Sequence, residues 1–276
     1  MHRSLLPLLV SLSPAILFLL PGIIVTQEGL WEDYKYGHGD LDNHNFCTWK
    51  CLMFTLQWPG TFCQSLNNVS LCRIPPTVNN WTIHGLWPLH AKNRCDCWPM
   101  FPSDVQELKA ELTELWPSFV RFKSNFHFCV FLCVRRDEWR KHGASAACVE
   151  GMNSPLRYFQ VCVKLRARFD IHSLLEDAGI TPSCERPYKV EEVQSVLAPH
   201  VGDKLEIQCI TDEQDRELWF QLKIRLNRNL TVGCDLCTDA EDADSRPVPS
   251  PGHPCPDRVP FYYFPINHER PQRPCG

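Results

Sequence analysis

The chain has 276 residues, enough for one domain with a substantial core plus processed or loose ends. Its 28 Lys and Arg against 32 Asp and Glu give a formal charge of −4, which argues against a protein that holds nucleic acid mainly through a basic surface. The 11 histidines shift that balance in acid, where their protonation would carry the chain towards about +7 and favour a polyanionic ligand.

His2 and Arg3 precede an uncharged run over 5–25, the layout of a secretory signal peptide removed near residue 26. Pro7, Pro14 and Pro21 interrupt the run and weigh against a membrane anchor, so no stable membrane association is expected. Sixteen cysteines in an exported chain imply disulfides, and no cysteine pair has the spacing of a structural zinc site. The sequons at Asn68, Asn80 and Asn229 fit the same secretory route.

Residues 27–50 read as a polar leader arm. Aromatic and branched residues bounded by Pro and Gly predict buried strands at 53–58 and 81–87. Ser103 is placed to cap a helix over 104–116, where Val105, Leu108, Leu112 and Leu115 recur at helical spacing and Pro117 ends the run. The stretch 126–134 reads as a buried strand or core loop. Residues 137–142 are rich in helix formers and lead to Gly143, read as the left-handed stop. Ser154 followed by Pro155 opens a helix to about Phe169, with shorter helices at 173–178 and 190–198. Alternating apolar residues over 204–210 and 218–226 predict antiparallel strands. Beyond an acidic run at 239–244, the proline-dense end reads as a tail anchored at Cys255 and loose over 266–276. The expected class is α+β, a central antiparallel sheet packed with helices and cross-linked by disulfides.

Two histidine-bearing stretches stand out, Trp81-Thr-Ile-His-Gly-Leu-Trp-Pro88 and Asp137-Glu-Trp-Arg-Lys-His-Gly143. Taken singly, each has an ordinary reading, a packed core histidine in a strand and a solvated charged helix face. On a helix, however, Glu138, Lys141 and His142 project from one face. A carboxyl, a cation and an imidazole together suit phosphate-ester chemistry, in which a base, an acid and positive charge act on a crowded phosphorus.

These two stretches resemble the active-site segments of the ribonuclease T2 family, the first in full and the second at all but one fixed position. The likeness extends in outline over 47–265 and places a ribonuclease T2-like domain at 27–265. It implies that His84 is the general acid and His142 the general base. Glu138 and Lys141 would polarise the phosphate, and Trp87 would offer a stacking face to a base. It further implies a single-stranded RNA substrate, a 2′,3′-cyclic phosphate intermediate, no metal or other cofactor, and residence outside the cell or in the lysosomal or endosomal lumen. Cys63 with Cys72 resembles the family's small disulfide loop, and Cys209 and Cys255 match further cysteines. Ser145 stands where a cysteine follows the second segment, so Cys148, one turn on, is expected to reach Cys95 or Cys97. Asp137 replaces a histidine that helps hold phosphate. An anion there repels substrate unless protonated or paired with Arg135 or Arg136, so reduced turnover is expected. A second reading follows from that departure, a secreted glycoprotein that keeps the fold and binds RNA or another partner without cutting.

Overall fold

The computed structural model describes residues 47–66, 71–91, 98–120, 135–235 and 252–276. The signal segment, Asn68, Cys95, Cys97, the 126–134 stretch and the acidic run lie outside the described residues. Among the described residues no helix is long and apolar enough to cross a membrane.

A seven-stranded sheet organises the chain, with β1 (Cys51–Gln57), β2 (Thr82–Pro88), β3 (Pro187–Tyr188), β4 (Glu206–Thr211), β5 (Glu217–Asn227), β6 (His253–Pro254) and β7 (Phe261–Tyr262). Its main path runs β2-β1-β5-β4-β6 in antiparallel pairs, while β7 pairs parallel with β5 and antiparallel with β3. β1 is buried throughout and reads as a nearly unbroken apolar run, whereas β5 alternates buried with half-buried residues from Leu222 onward and reads as an alternating one.

The longer helices among the described residues are α1 (Lys109–Leu115), α2 (Pro155–Arg168), α3 (Ile171–Asp177) and α4 (Val190–Val201). Ser154 accepts from the Arg157 backbone N–H and so caps α2. The expected helix over 104–116 is divided into a 3-10 segment, Pro102–Leu108, and α1, because Val105 leaves helical geometry. Its start is also corrected: Pro102 occupies the first turn, and the Asp104 carboxylate accepts from the Phe101 N–H at 2.7 Å. Ser103 is not the cap.

Three polar anchors hold β2 in place. Tyr158 of α2 donates its hydroxyl to Leu86 O at 2.7 Å, Arg166 donates Nε to Trp81 O at 2.8 Å, and Trp81 donates Nε1 to the Tyr263 hydroxyl at 3.0 Å. Around the last contact, Trp58, Trp81, Trp219 and Tyr263 form a buried aromatic cluster, with centroids 4.6–5.3 Å apart across its closest pairs. Such tilted pairs add roughly 0.5–1.5 kcal/mol each beyond the area they bury.

Among the described residues five disulfides join Cys47–Cys148, Cys51–Cys234, Cys63–Cys72, Cys184–Cys275 and Cys209–Cys255. The pairing of Cys148 corrects the expectation of Cys95 or Cys97: the chain before β1 reaches it first, and Trp49 adds an indole hydrogen bond to Ser145 O. Residues 266–276 are not a loose end. Cys275 is bridged to α3's following loop at Cys184, Gln64 donates to the carbonyls of Pro271 and Gln272, and Ile266 packs on the Cys63–Cys72 cluster.

Candidate active site

His84 enters the site through an irregularity of the sheet. Along the β1–β2 ladder Thr55 pairs with Gly85 and Leu56 with Ile83, which leaves His84 as the extra residue of a β-bulge. A bulge re-aims one side chain without breaking the strand. The ring lands against β5, where the Gln221 amide meets His84 Nδ1 at 2.6 Å. Gln221 is fully buried and faces Gln57 across β1. A carboxamide can donate to a bare Nδ1 or, turned over, accept from a protonated one, so it serves both charge states while leaving Nε2 free to face a substrate. Burial first, then the cations Lys223 and Lys141, depress the His84 pKa to about 4.

His142 arrives on a helical run over 135–146. Its middle, Trp139–Gly143, is a π turn in which the Ala144 N–H reaches back to Trp139 O, and Ala144–Ala146 continues it as α-helix. The expected stop at Gly143 is thus overturned, for Gly143 has ordinary helical angles (φ −62°). The glycine is needed for space: a Cβ there would stand 2.3 Å from the Trp139 ring. Trp139 is fully buried and packs edge-on against Tyr158, fixing the helix to α2. A π turn of this kind is a frequent companion of functional residues, and here it spans Lys141 and His142.

The two segments meet at Trp87. Its indole lies edge-on to His84 with centroids 5.1 Å apart and tilted against His142 at 5.3 Å, so the imidazoles flank one ring and lie within the sum of those distances. Trp87 Nε1 donates to Glu138 Oε2 at 3.1 Å. At 8 % exposure this tryptophan offers little face to a base, and the stacking role expected of it gives way to a structural one: it spaces the histidines and orients Glu138. Burial raises the Glu138 pKa to about 7 against the lowering effects of Trp87 and Lys141, so the carboxyl is neutral in mild acid. Lys141 is exposed beside it. Gly85 completes the junction, since a Cβ there would lie 2.1 Å from Trp87 Nε1 and 2.7 Å from Glu138 Oε2.

Asp137 stands at the rim, 3.6 Å from Arg140 and partly exposed. Neither Arg135 nor Arg136 is its partner in an ion pair among the described residues. Arg135 is buried and donates to Leu112 O and Trp116 O, tying the helix to α1 instead. No cluster of three or more His, Cys, Asp or Glu suited to a metal ion occurs among the described residues. Sequence reasoning missed Gln221, which lies 137 residues from its histidine on a strand read only for its apolar alternation. The polar positions of that strand, Gln221, Lys223 and Arg225, were the available signal.

A strand-borne histidine and a helix-borne one gathered around a single indole, with a neutralisable carboxyl and a lysine beside them, define a two-histidine site on an α+β scaffold. Comparison with known proteins narrows the class. Ribonuclease T2 of Homo sapiens is 33 % identical over 213 residues, 76 % of this chain and 73 % of that protein. Ribonuclease Oy of Magallana gigas is 28 % identical over 228 residues, 79 % of this chain and 98 % of its own. The crystal structure of human RNase T2 superposes with a TM-score of 0.62 at 29 % identity, over 79 % of this chain and 99 % of that one. The ribonuclease T2 family profile matches residues 49–243, and the chain belongs to that family.

Proposed function

We propose that this protein is an endoribonuclease that cleaves single-stranded RNA by internal transfer, with His84 as general acid and His142 as general base. His142 takes the proton of the 2′-hydroxyl as O2′ bonds to phosphorus. His84 delivers a proton from Nε2 to the departing 5′-oxygen as the P–O5′ bond breaks, and the products are a 2′,3′-cyclic phosphate and a free 5′-hydroxyl. Glu138, neutral below about pH 7, brings no repelling charge to the phosphate, and Lys141 adds attraction. The observation that carries this reading is the convergence of both histidines and Glu138 on Trp87.

Because His84 must be protonated to act as acid and burial depresses its pKa to about 4, its protonated fraction falls roughly tenfold per unit once pH rises above that value. An acidic lumen suits such an enzyme. Secretion or delivery to lysosomes, with glycans at Asn68, Asn80 and Asn229, accords with five disulfides among the described residues and with the exposed turn that carries Asn229. The reading as a non-cleaving RNA- or partner-binding glycoprotein is less favoured, since Asp137 sits at the rim with Arg140 rather than between the histidines. Purified protein incubated with RNA at pH 5 and pH 7 is expected to give cyclic-phosphate ends, faster at pH 5. Undiminished cleavage by His142→Ala or His84→Ala would refute the assignment.

A further inference from the structure

The sheet face that carries His84 continues along β5 to Lys223. Side chains two apart on a strand share a face, and no irregularity of either ladder falls between Gln221 and Lys223. Lys223 therefore stands on the same face as the amide that touches His84. In register it lies between Thr55 of β1 and Glu206 of β4.

That neighbouring carboxylate is already engaged. Arg225 donates Nη2 and Nε to Glu206 Oε1 at 2.7 and 3.2 Å, and Lys223 makes no ion pair among the described residues. Half-buried, it is held below the ordinary lysine range by loss of solvent. Beside it, Thr55 Oγ1 and Gln57 Oε1 are buried and have no hydrogen-bond partner among the described residues. Of these two atoms only the Thr55 hydroxyl can donate, so the strip sets one spare donor beside an unpaired ammonium, a combination suited to an anionic group. On the helical side Arg140 is turned to Asp137, so part of the positive charge there is already neutralised.

We propose that Lys223 is a substrate-binding residue of this site, its ammonium contacting an RNA phosphate beside His84 from the β5 side. The proposal rests on the ribonuclease reading and identifies the sheet strip Thr55–Lys223 as part of the phosphate path. It also gives Lys223 a cost: the cation that draws the substrate in makes His84 harder to protonate.

The test is binding of an uncleavable 2′-deoxy decanucleotide at pH 5, followed by fluorescence anisotropy across a salt series, for wild type, Lys223→Gln, Lys223→Glu and Lys223→Arg. A lost charge-assisted contact is expected to weaken binding on the order of tenfold or more in Lys223→Gln. The slope of log affinity against log salt should shrink by about 0.7, the value for one phosphate on a single strand. Lys223→Glu should be weaker still, and Lys223→Arg should keep the wild-type slope. With RNA, Lys223→Gln should raise KM while kcat at pH 5 holds or rises, because His84 has lost a neighbouring cation. Unchanged affinity and unchanged salt slope in Lys223→Gln would overturn the proposal, as would a wild type that fails to bind the decanucleotide. If wild type binds but cuts no RNA, the ribonuclease reading fails while the binding series still decides the role of Lys223.

Discussion

Gln221→Glu changes one polar group and leaves the side-chain length intact, yet it sets a carboxylate where an amide now stands 2.6 Å from His84 Nδ1. An opposite charge at that range favours the imidazolium, typically by about 1–3 pKa units, and Lys223 on the same face offsets part of it. His84 would then titrate between roughly 5 and 7 rather than near 4. At pH 6 only about 1 % of the wild-type ring is protonated, whereas a pKa of 6 would protonate half of it. Part of that gain is lost because a weaker acid transfers its proton less readily, so a net rise of about tenfold over wild type, both measured at pH 6, is the expected outcome. Gln221→Leu should instead lower kcat across the whole profile, because Nδ1 loses the group that holds the ring. Two measurements check this, the pH dependence of kcat and the titration of His84 by nitrogen-15 NMR. A midpoint for His84 that stays put in Gln221→Glu would refute the reasoning that the amide is its electrostatic partner.

Gly85→Ala should cost about 1–3 kcal/mol by overpacking and cut activity by at least tenfold, since its Cβ would displace Trp87 from Glu138; thermal melts and cleavage rates measure the two effects. Glu138→Gln tests the buried carboxyl. Its folded pKa of about 7 exceeds the ordinary 4.5, so ionisation penalises the native state progressively as pH rises from 4.5 to 7, and the variant should gain melting temperature over wild type at pH 7 but not at pH 4.5. His84 has the opposite sign, since its folded pKa lies below the free value, and the stability it contributes above pH 6.5 is lost as pH falls towards 4. Cys275→Ser removes a bridge to a cysteine 91 residues away, for which a loss of about 2–4 kcal/mol is usual; hydrogen exchange should show the final ten residues released while the strands around His84 keep their protection.

Much of the scaffold was legible because it follows from local rules. Ser154 and Pro155 mark the start of α2, and the alternation from Leu218 to Leu226 marks β5, because caps and pleats act over a few residues. The two histidine segments were legible by their residue pattern. What escaped depends on contacts between distant parts of the chain. Gly143 looked like a helix stop and serves as clearance for Trp139, a fact decided by where that indole packs. Trp87 looked like an exposed platform and lies between two rings that reach it from separate segments. Cys148 was expected to reach Cys95 or Cys97, and pairing with Cys47 was settled by the path of the chain into β1. Lys223 and Gln221 were hidden in plain alternation, since a strand pattern tells which residues share a face but not what that face looks upon.

The position of β5 has a consequence for biosynthesis. It is flanked by β1 and β4 at the middle of the sheet, although it is among the last strands to leave the ribosome. A nascent chain that already carries His84 and His142 still lacks the strand that seats the first of them. A polypeptide halted before residue 221 therefore has both reactive rings but not the amide that meets the first of them.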